Sequence, residues 1–543
     1  MSDRSFLTRR ELIAGALATS IVPAAVRSAA AAQEALPENV DVAIVGGGIS
    51  GLYAAWRLLT APSAERASPP PSVAVFEAAG RLGGRIFSAT PPGMPHVPAE
   101  LGAMRIVTSQ AFVLALTREL GLPLADFPMG TDANLVYLRT KRFRLRDYAR
   151  PAAVPYALRP AELGKSPDGL LFGAIEKLVP NYTKLDRAGW LAVKKSATRH
   201  GVPLWNRGFW NVLSEILSNE ALDLIREGGG YPSFLSNWNA AEASEYLTSD
   251  FPAGAAYRTI RGGMQRLPEA VAERVERAGG MVRRRAQVTA VHVVSQNPPA
   301  FRLTFRPARA GEAPRVVNAK SVIFALPRRA IELIDTGSLL AAPDVRRAFD
   351  AIEGVVASKV FLGYHTPWWR QLGLRSGRAN TDLPMAQCYY FGTEREQPGG
   401  EPGNTNSLLM ASYANDGPAD FWTFAEGEAG APLESNVRAE LGRQLAAVHG
   451  LTPPEPYTSL AVDWGRDPYG GAWHIWRPGE RSWEVMPRIR KPVAELPLSI
   501  VGEAWSTEAG WIEGALNTAE HVLEEQYGLR RPAWLPRSYS IGS

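Results

Sequence analysis

The sequence predicts an α/β fold built on a parallel sheet of the Rossmann type, and three observations carry the prediction. A β-branched apolar run, Asp41-Val42-Ala43-Ile44-Val45, leads directly into Gly46-Gly47-Gly48-Ile49-Ser50-Gly51. A segment with helical periodicity, Leu52 to Leu59, follows at once. After a Pro- and Ser-rich loop, a second apolar run, Val73 to Phe76, ends at the acid Glu77.

Each element has a physical reason. A short run of β-branched residues with no polar alternation reads as a strand buried on both faces. The G-x-G-x-x-G sits where strand turns into helix. There Gly46 permits the tight turn, Gly48 lets backbone approach a pyrophosphate, and Gly51 lets helix and strand pack closely. The helix amino terminus then faces the phosphates with its unpaired N–H groups. Glu77, at the end of the second strand, can accept from both hydroxyls of a ribose and disfavours a 2′-phosphate.

At 543 residues the chain is long enough for two to four domains. A net charge of +5 is weak for this length, and residues 1–32 carry two of those charges. No basic cluster interleaved with aromatics follows, so nucleic acid is not an expected partner. One cysteine, Cys388, excludes an internal disulfide, and the seven scattered histidines give no metal-binding spacing. Residues 1–32 hold a basic start, an apolar run from Leu12 to Val22 and Ala30-Ala31-Ala32. That is the architecture of a cleavable export signal, too short to span a bilayer. Arg9-Arg10 after Thr8 looks like a bacterial twin-arginine signal, with Leu12 where Phe is usual, so export to the periplasm or beyond is expected. No later segment has the length and apolarity of a membrane span.

Glu77-Ala78-Ala79-Gly80-Arg81-Leu82-Gly83-Gly84-Arg85 matches an E-x-x-x-R-x-G-G-R pattern. Four further blocks follow in order: Ala99 to Arg105, Arg261 to Pro268 with the strand around Val288, Ala357 to Leu362, and Val501 to Gly514. On these residues the chain resembles the flavin-containing amine oxidases, and within them the L-amino-acid oxidases. The resemblance implies FAD as cofactor and a discontinuous FAD-binding domain over 38–108, 250–325 and 465–530. A mixed-sheet substrate domain would span 326–464, and 109–249 would form a helical lid. The expected FAD contacts are Gly46, Gly48, Gly51, Glu77, Ala78, Arg81, Gly84, Arg85, then Gly102, Ala103, Met104, Arg105, Val288, Glu503, Trp511 and Ile512. Arg85 would set a fixed positive charge near the diphosphate. Glu503 would meet the ribityl or diphosphate region.

The same resemblance assigns roles at the substrate. Arg105 would grip a carboxylate through two parallel hydrogen bonds, which fix orientation as well as charge. Tyr413 would share that carboxylate, the Gly510 carbonyl would accept from the amine, and Trp511 would wall the pocket. The last helix, Trp511 to Tyr527, would aim its positive end at the flavin. Lys359 would hold a water near flavin N5 and, buried on its strand, have a lowered pKa. Tyr469 to Trp476 would approach the flavin or the substrate. Some family members carry a histidine base ahead of the Arg261 block; here no histidine lies between His200 and His292. Cys388 is absent from the carboxy-terminal block that tethers flavin in monoamine oxidases, so FAD would be non-covalent.

These residues imply oxidative deamination of an L-amino acid to a 2-oxo acid with release of ammonia and hydrogen peroxide, oxygen being the acceptor. An amine oxidase for monoamines or polyamines and an amino-acid 2-monooxygenase are the alternatives on the same scaffold, and a flavoprotein that only passes electrons to a partner is a third. A homodimer is common among such proteins.

Overall fold

Asn39–Val45 lies at the middle of a seven-stranded sheet. In the computed structural model, which describes residues 35–543 apart from 62–69, 252–253, 308, 310, 423–429, 431–432, 467 and 543, both neighbours of this strand run parallel to it: Val73–Phe76 and Arg315–Phe324. The export signal expected over 1–32 lies outside the described residues. Met281–Arg283 extends the parallel set past Val73–Phe76, and Leu498–Ile500 joins the end of Arg315–Phe324. Pro299–Phe305 and Val288–Gln296 complete the sheet as an antiparallel extension.

Both faces of this sheet are covered, which explains the unbroken apolar run. Val42 and Ile44 pack with the helices Ile49–Thr60, Arg266–Arg277 and Ile512–Tyr527. Ala43 and Val45 point the other way, into a core shared with Pro343–Asp350 and Ser482–Arg490. Between the helices Ile49–Thr60 and Ile512–Tyr527 a buried polar tie adds to the apolar packing. Arg57 donates to both oxygens of Glu520, Nη2 to Oε1 at 2.8 Å and Nε to Oε2 at 3.0 Å, and the Tyr53 hydroxyl donates to Oε2 at 2.6 Å. A fully paired buried carboxylate of this kind is tolerable; one that loses its partner is costly. Arg57 Nη2 also donates to the Arg530 carbonyl, and Trp534 stacks on Trp56, so the carboxy-terminal tail is fastened to the same helix.

A second seven-stranded sheet runs Thr458–Asp463, Ala357–Tyr364, Ser407–Asn415, Gln387–Thr393, Arg378–Thr381, Leu135–Leu138, Lys141–Arg144. It is antiparallel except where Arg378–Thr381 meets Leu135–Leu138. Its last two strands come from the 109–249 segment, which otherwise supplies helices such as Pro167–Leu178, Asn219–Gly228 and Ala240–Asp250 around their own core. A small three-stranded sheet, Ile106–Val107, Tyr257–Ile260, Leu124–Asp126, stands beside the residue that matters most below, Arg105. Among the described residues no helix is long and apolar enough to cross a membrane.

Candidate active site

A cavity of about 650 Å³ opens at the carboxyl ends of the parallel strands, where Val45, Phe76 and Ala325 reach it. Ligands bind at this edge in open α/β sheets because strand ends and helix amino termini converge there. The glycine turn forms one wall. Gly46 has φ +112°, and a Cβ there would lie 2.4 Å from the Ala325 carbonyl oxygen; Gly51 would meet the Gly46 carbonyl at 2.2 Å. Gly48 is different: it lines the cavity, and an added Cβ would meet nothing within 4 Å. Its bare face is therefore open to an occupant, as a backbone approaching a pyrophosphate requires.

Glu77 lies at the same wall, accepting from Gly47 N at 2.8 Å and Ala79 N at 2.7 Å. Burial pushes its pKa up while those two backbone donors pull it back. Each oxygen retains lone pairs for ribose hydroxyls. Ala78, Arg81, Gly84, Gly102, Ala103, Val288 and Ile512 also line the cavity. Arg81 folds back on its own loop, donating to the Gly84 carbonyl at 2.7 Å, with its guanidinium over the Phe87 ring.

Glu503 is the hub of the far end. Its carboxylate takes hydrogen bonds from Gly510 N at 2.6 Å, His474 Nδ1 at 2.8 Å, and Arg85. Burial opposes its charge, but the charges of Arg85 and His474 outweigh burial and hold it well below the usual carboxylate range. Arg85 therefore has an internal counter-charge. His474, whose position in the sequence gave no signal beyond its place between two tryptophans, joins this end of the site. Pro468 to Trp473, just ahead of it, line the cavity.

The cavity continues into an inner pocket of about 90 Å³, and Lys359, Tyr413, Trp473, Gly510 and Trp511 line both. Met104 and Arg105 line the inner pocket alone. Arg105 is 7% exposed. Its Nη2 donates to the Tyr231 hydroxyl at 2.8 Å, its Nε has no hydrogen-bond partner, and no carboxylate pairs with it among the described residues. The rings of Tyr231, Tyr257 and Trp511 surround its Cζ at 5.5 to 5.8 Å. Phe234, Tyr246 and Phe251 complete the aromatic wall, and among the described residues neither Asp nor Glu lines the inner pocket.

Lys359 sits on Ala357–Tyr364, fully within the protein, and its Nζ donates to the Glu100 carbonyl at 3.0 Å and to the Gly102 carbonyl. Burial, helped by the charge on Arg105 and opposed by Glu100, brings its pKa down to about 7. The Glu100 carboxyl, buried in turn and receiving hydrogen bonds from Ser88 and Met264 N, is pushed up to about 7.

The family described as flavin containing amine oxidoreductase matches this chain over residues 49–522. The chain belongs to the flavin-containing amine oxidoreductases. Among its relatives, aplysianin-A of Aplysia kurodai is 27% identical over 537 residues, covering 91% of each protein. An L-amino-acid oxidase of Mus musculus is 26% identical over 519 residues, covering 92% of this chain and 71% of the relative. A solved putrescine oxidase bound to putrescine superposes with a TM-score of 0.65 at 20% identity, covering 90% of this chain and 99% of that one. This last likeness concerns the fold.

Membership in a flavin amine oxidoreductase family implies a flavin, and the cavity fits one. The open face of Gly48, the carboxylate of Glu77 and the glycines Gly83, Gly84, Gly102, Gly470 and Gly471 lie along a bed that runs from the sheet edge to the inner pocket. The residues that the motifs single out converge on it: Arg105, Lys359, Tyr413, Gly510 and Trp511 all border the inner pocket. Reasoning from sequence missed Tyr231, Tyr389, Glu100 as a titrating neighbour of Lys359, and the bond of His474 to Glu503. Tyr231 and Tyr389 belong to no motif and are joined to Arg105 only by the fold.

Proposed function

We propose that the chain is an FAD-dependent L-amino-acid oxidase, converting its substrate to a 2-oxo acid with release of ammonia and hydrogen peroxide. One observation carries the reading: Arg105 is a buried guanidinium at the wall of the inner pocket with no carboxylate to pair with among the described residues. An arginine remains charged under all ordinary conditions. A buried charge without a partner is expensive, so the missing acid is best supplied by the substrate.

The roles follow from the geometry. Arg105 binds the carboxylate, with the Tyr413 ring beside it on the same pocket. Gly510 donates its N–H to Glu503, and Trp511 N donates to the Glu508 carbonyl at 3.2 Å, which orients the peptide unit carrying the Gly510 carbonyl proposed to accept from the substrate amine. The aromatic wall excludes water from the reacting carbon. Lys359, tied to two backbone carbonyls, holds a proton site beside the pocket. When bound, FAD supplies the two-electron oxidation of the carbon–nitrogen bond and passes the electrons to oxygen. Glu77, Gly48, Arg85 and Glu503 are the residues proposed to hold it, and its attachment is non-covalent: the sole cysteine, Cys388, is buried on Gln387–Thr393 and does not line the cavity. A diamine would bring positive charge to a pocket that already holds Arg105 and Lys359 and, among the described residues, no acid, which argues against polyamine substrates.

The test is anaerobic bleaching of the purified yellow protein by each of the twenty amino acids in both hands, beside putrescine and phenylethylamine. Bleaching by L-amino acids alone supports the reading. Bleaching by the amines alone overturns it. Recovery of an amide with carbon dioxide in place of the 2-oxo acid would instead mark a monooxygenase.

A further inference from the structure

Arg105 does not stand alone behind the pocket. Its Nη2 donates to the Tyr231 hydroxyl at 2.8 Å, which lies 3.1 Å from the Tyr389 hydroxyl. Tyr389 donates to Gln387 Oε1 at 3.0 Å, and Arg378 Nη1 donates to the same oxygen at 2.6 Å and to the Tyr389 hydroxyl at 3.3 Å. The direction of every proton is thereby fixed. Gln387 Oε1 can only accept, so Tyr389 spends its proton there. Tyr389 must then accept from Tyr231, and Tyr231 accepts from Arg105. The chain is buried throughout: Tyr231 is 6% exposed, Tyr389 2% and Gln387 0%. It runs from Tyr231, just ahead of the short helix Pro232–Leu235, to the strand Gln387–Thr393, with Arg378 on the neighbouring strand.

We propose that Tyr231 is the positioning residue for the carboxylate grip, holding the Arg105 guanidinium at one corner so that its remaining N–H groups serve the substrate. This rests on the reading of Arg105 as the carboxylate partner. Because the hydroxyl proton of Tyr231 is committed to Tyr389, that hydroxyl acts through Arg105 and donates no hydrogen bond to the substrate itself, while the ring, which a phenylalanine keeps, remains part of the pocket wall. Tyr389 acts one step further back, by keeping Tyr231 an acceptor.

The experiment uses the flavin-loaded protein and follows the absorbance change on binding benzoate, a carboxylate, and benzylamine, an amine without one. In Tyr231→Phe the benzoate Kd is expected to rise about tenfold, the usual weight of a hydrogen bond to a charged group, with benzylamine binding and flavin content unchanged. The KM for an oxidised L-amino acid rises with it while kcat moves little. Tyr389→Phe gives a smaller loss, and the double variant is no worse than Tyr231→Phe alone, because the second residue works through the first. Unchanged benzoate affinity in Tyr231→Phe, or an equal loss for benzoate and benzylamine, overturns the proposal. Should Tyr231→Phe fail to fold, Tyr389→Phe carries the same comparison: a selective loss of benzoate affinity supports the relay and an unselective or absent one refutes it. If the wild-type protein itself neither binds benzoate nor is bleached by any amino acid, the carboxylate reading of Arg105 fails, an outcome distinct from a relay that proves idle in a protein that does bind them.

Discussion

Removing the guanidinium at position 105 is expected to separate two properties. Arg105→Ala should lose at least about 100-fold in kcat/KM for amino acids, since a buried substrate carboxylate without its partner costs roughly 3 kcal/mol or more. It should stay yellow, because Arg105 lines the inner pocket and not the large cavity. Steady-state peroxide assays and the flavin spectrum check both. A second prediction concerns Lys359 and Glu100, whose pKa values both come to about 7 from opposite sides. Glu100 holds a proton in the folded state that the unfolded chain releases above about 4.3, so its contribution to stability falls as pH rises from there to about 7. Lys359 releases a proton in the folded state that the unfolded chain keeps until about 10.4, so its contribution rises from about 7 upward. Together they give a stability minimum near neutrality. Urea denaturation across pH should show the acid arm flattened in Glu100→Gln and the alkaline arm flattened in Lys359→Met.

Among the elements, Glu503 joins three parts of the chain: Arg85 from the second glycine loop, His474 from the strand Trp473–Trp476, and Gly510 ahead of the helix Ile512–Tyr527. Glu503→Gln keeps the shape and removes the charge, and should cost about 3 kcal/mol at pH 7. The gap between wild type and variant should close as pH falls below about 4.3, because a carboxylate held low in the folded state gives its stability above the unfolded value and loses it as it protonates. Denaturation at pH 7 and pH 4 tests this, with flavin retention on gel filtration as a second measure. The elements also differ in how plainly they were written in the sequence. The strand-turn-helix at 39–60 was legible because every constraint on it is local: an apolar run, a turn only glycine can make, a periodic helix. The strands Leu135–Leu138 and Lys141–Arg144 were not, since both are only four residues long, the second is mostly basic, and the first pairs with Arg378–Thr381 some 240 residues away. Resemblance to the family's sequence blocks likewise brought out Arg105 and Lys359 but said nothing of Tyr231, whose partner is chosen by the packing of a helix against a sheet.

At the scale of the molecule, the tie of Tyr53 and Arg57 to Glu520 joins residues more than 460 positions apart. Glu520→Ala would strand a buried guanidinium and is expected to destabilise by about 3–5 kcal/mol, read as a lowered urea midpoint with an unchanged slope. Pairing so distant also orders the events of synthesis. The strand Leu498–Ile500 and the helix Ile512–Tyr527 complete the bed whose glycine turn leaves the ribosome hundreds of residues earlier. A nascent chain thus carries a half-made cradle until that helix has been added. A message cut short between the two would yield a protein with one wall of the cradle missing, and so with little hold on a flavin.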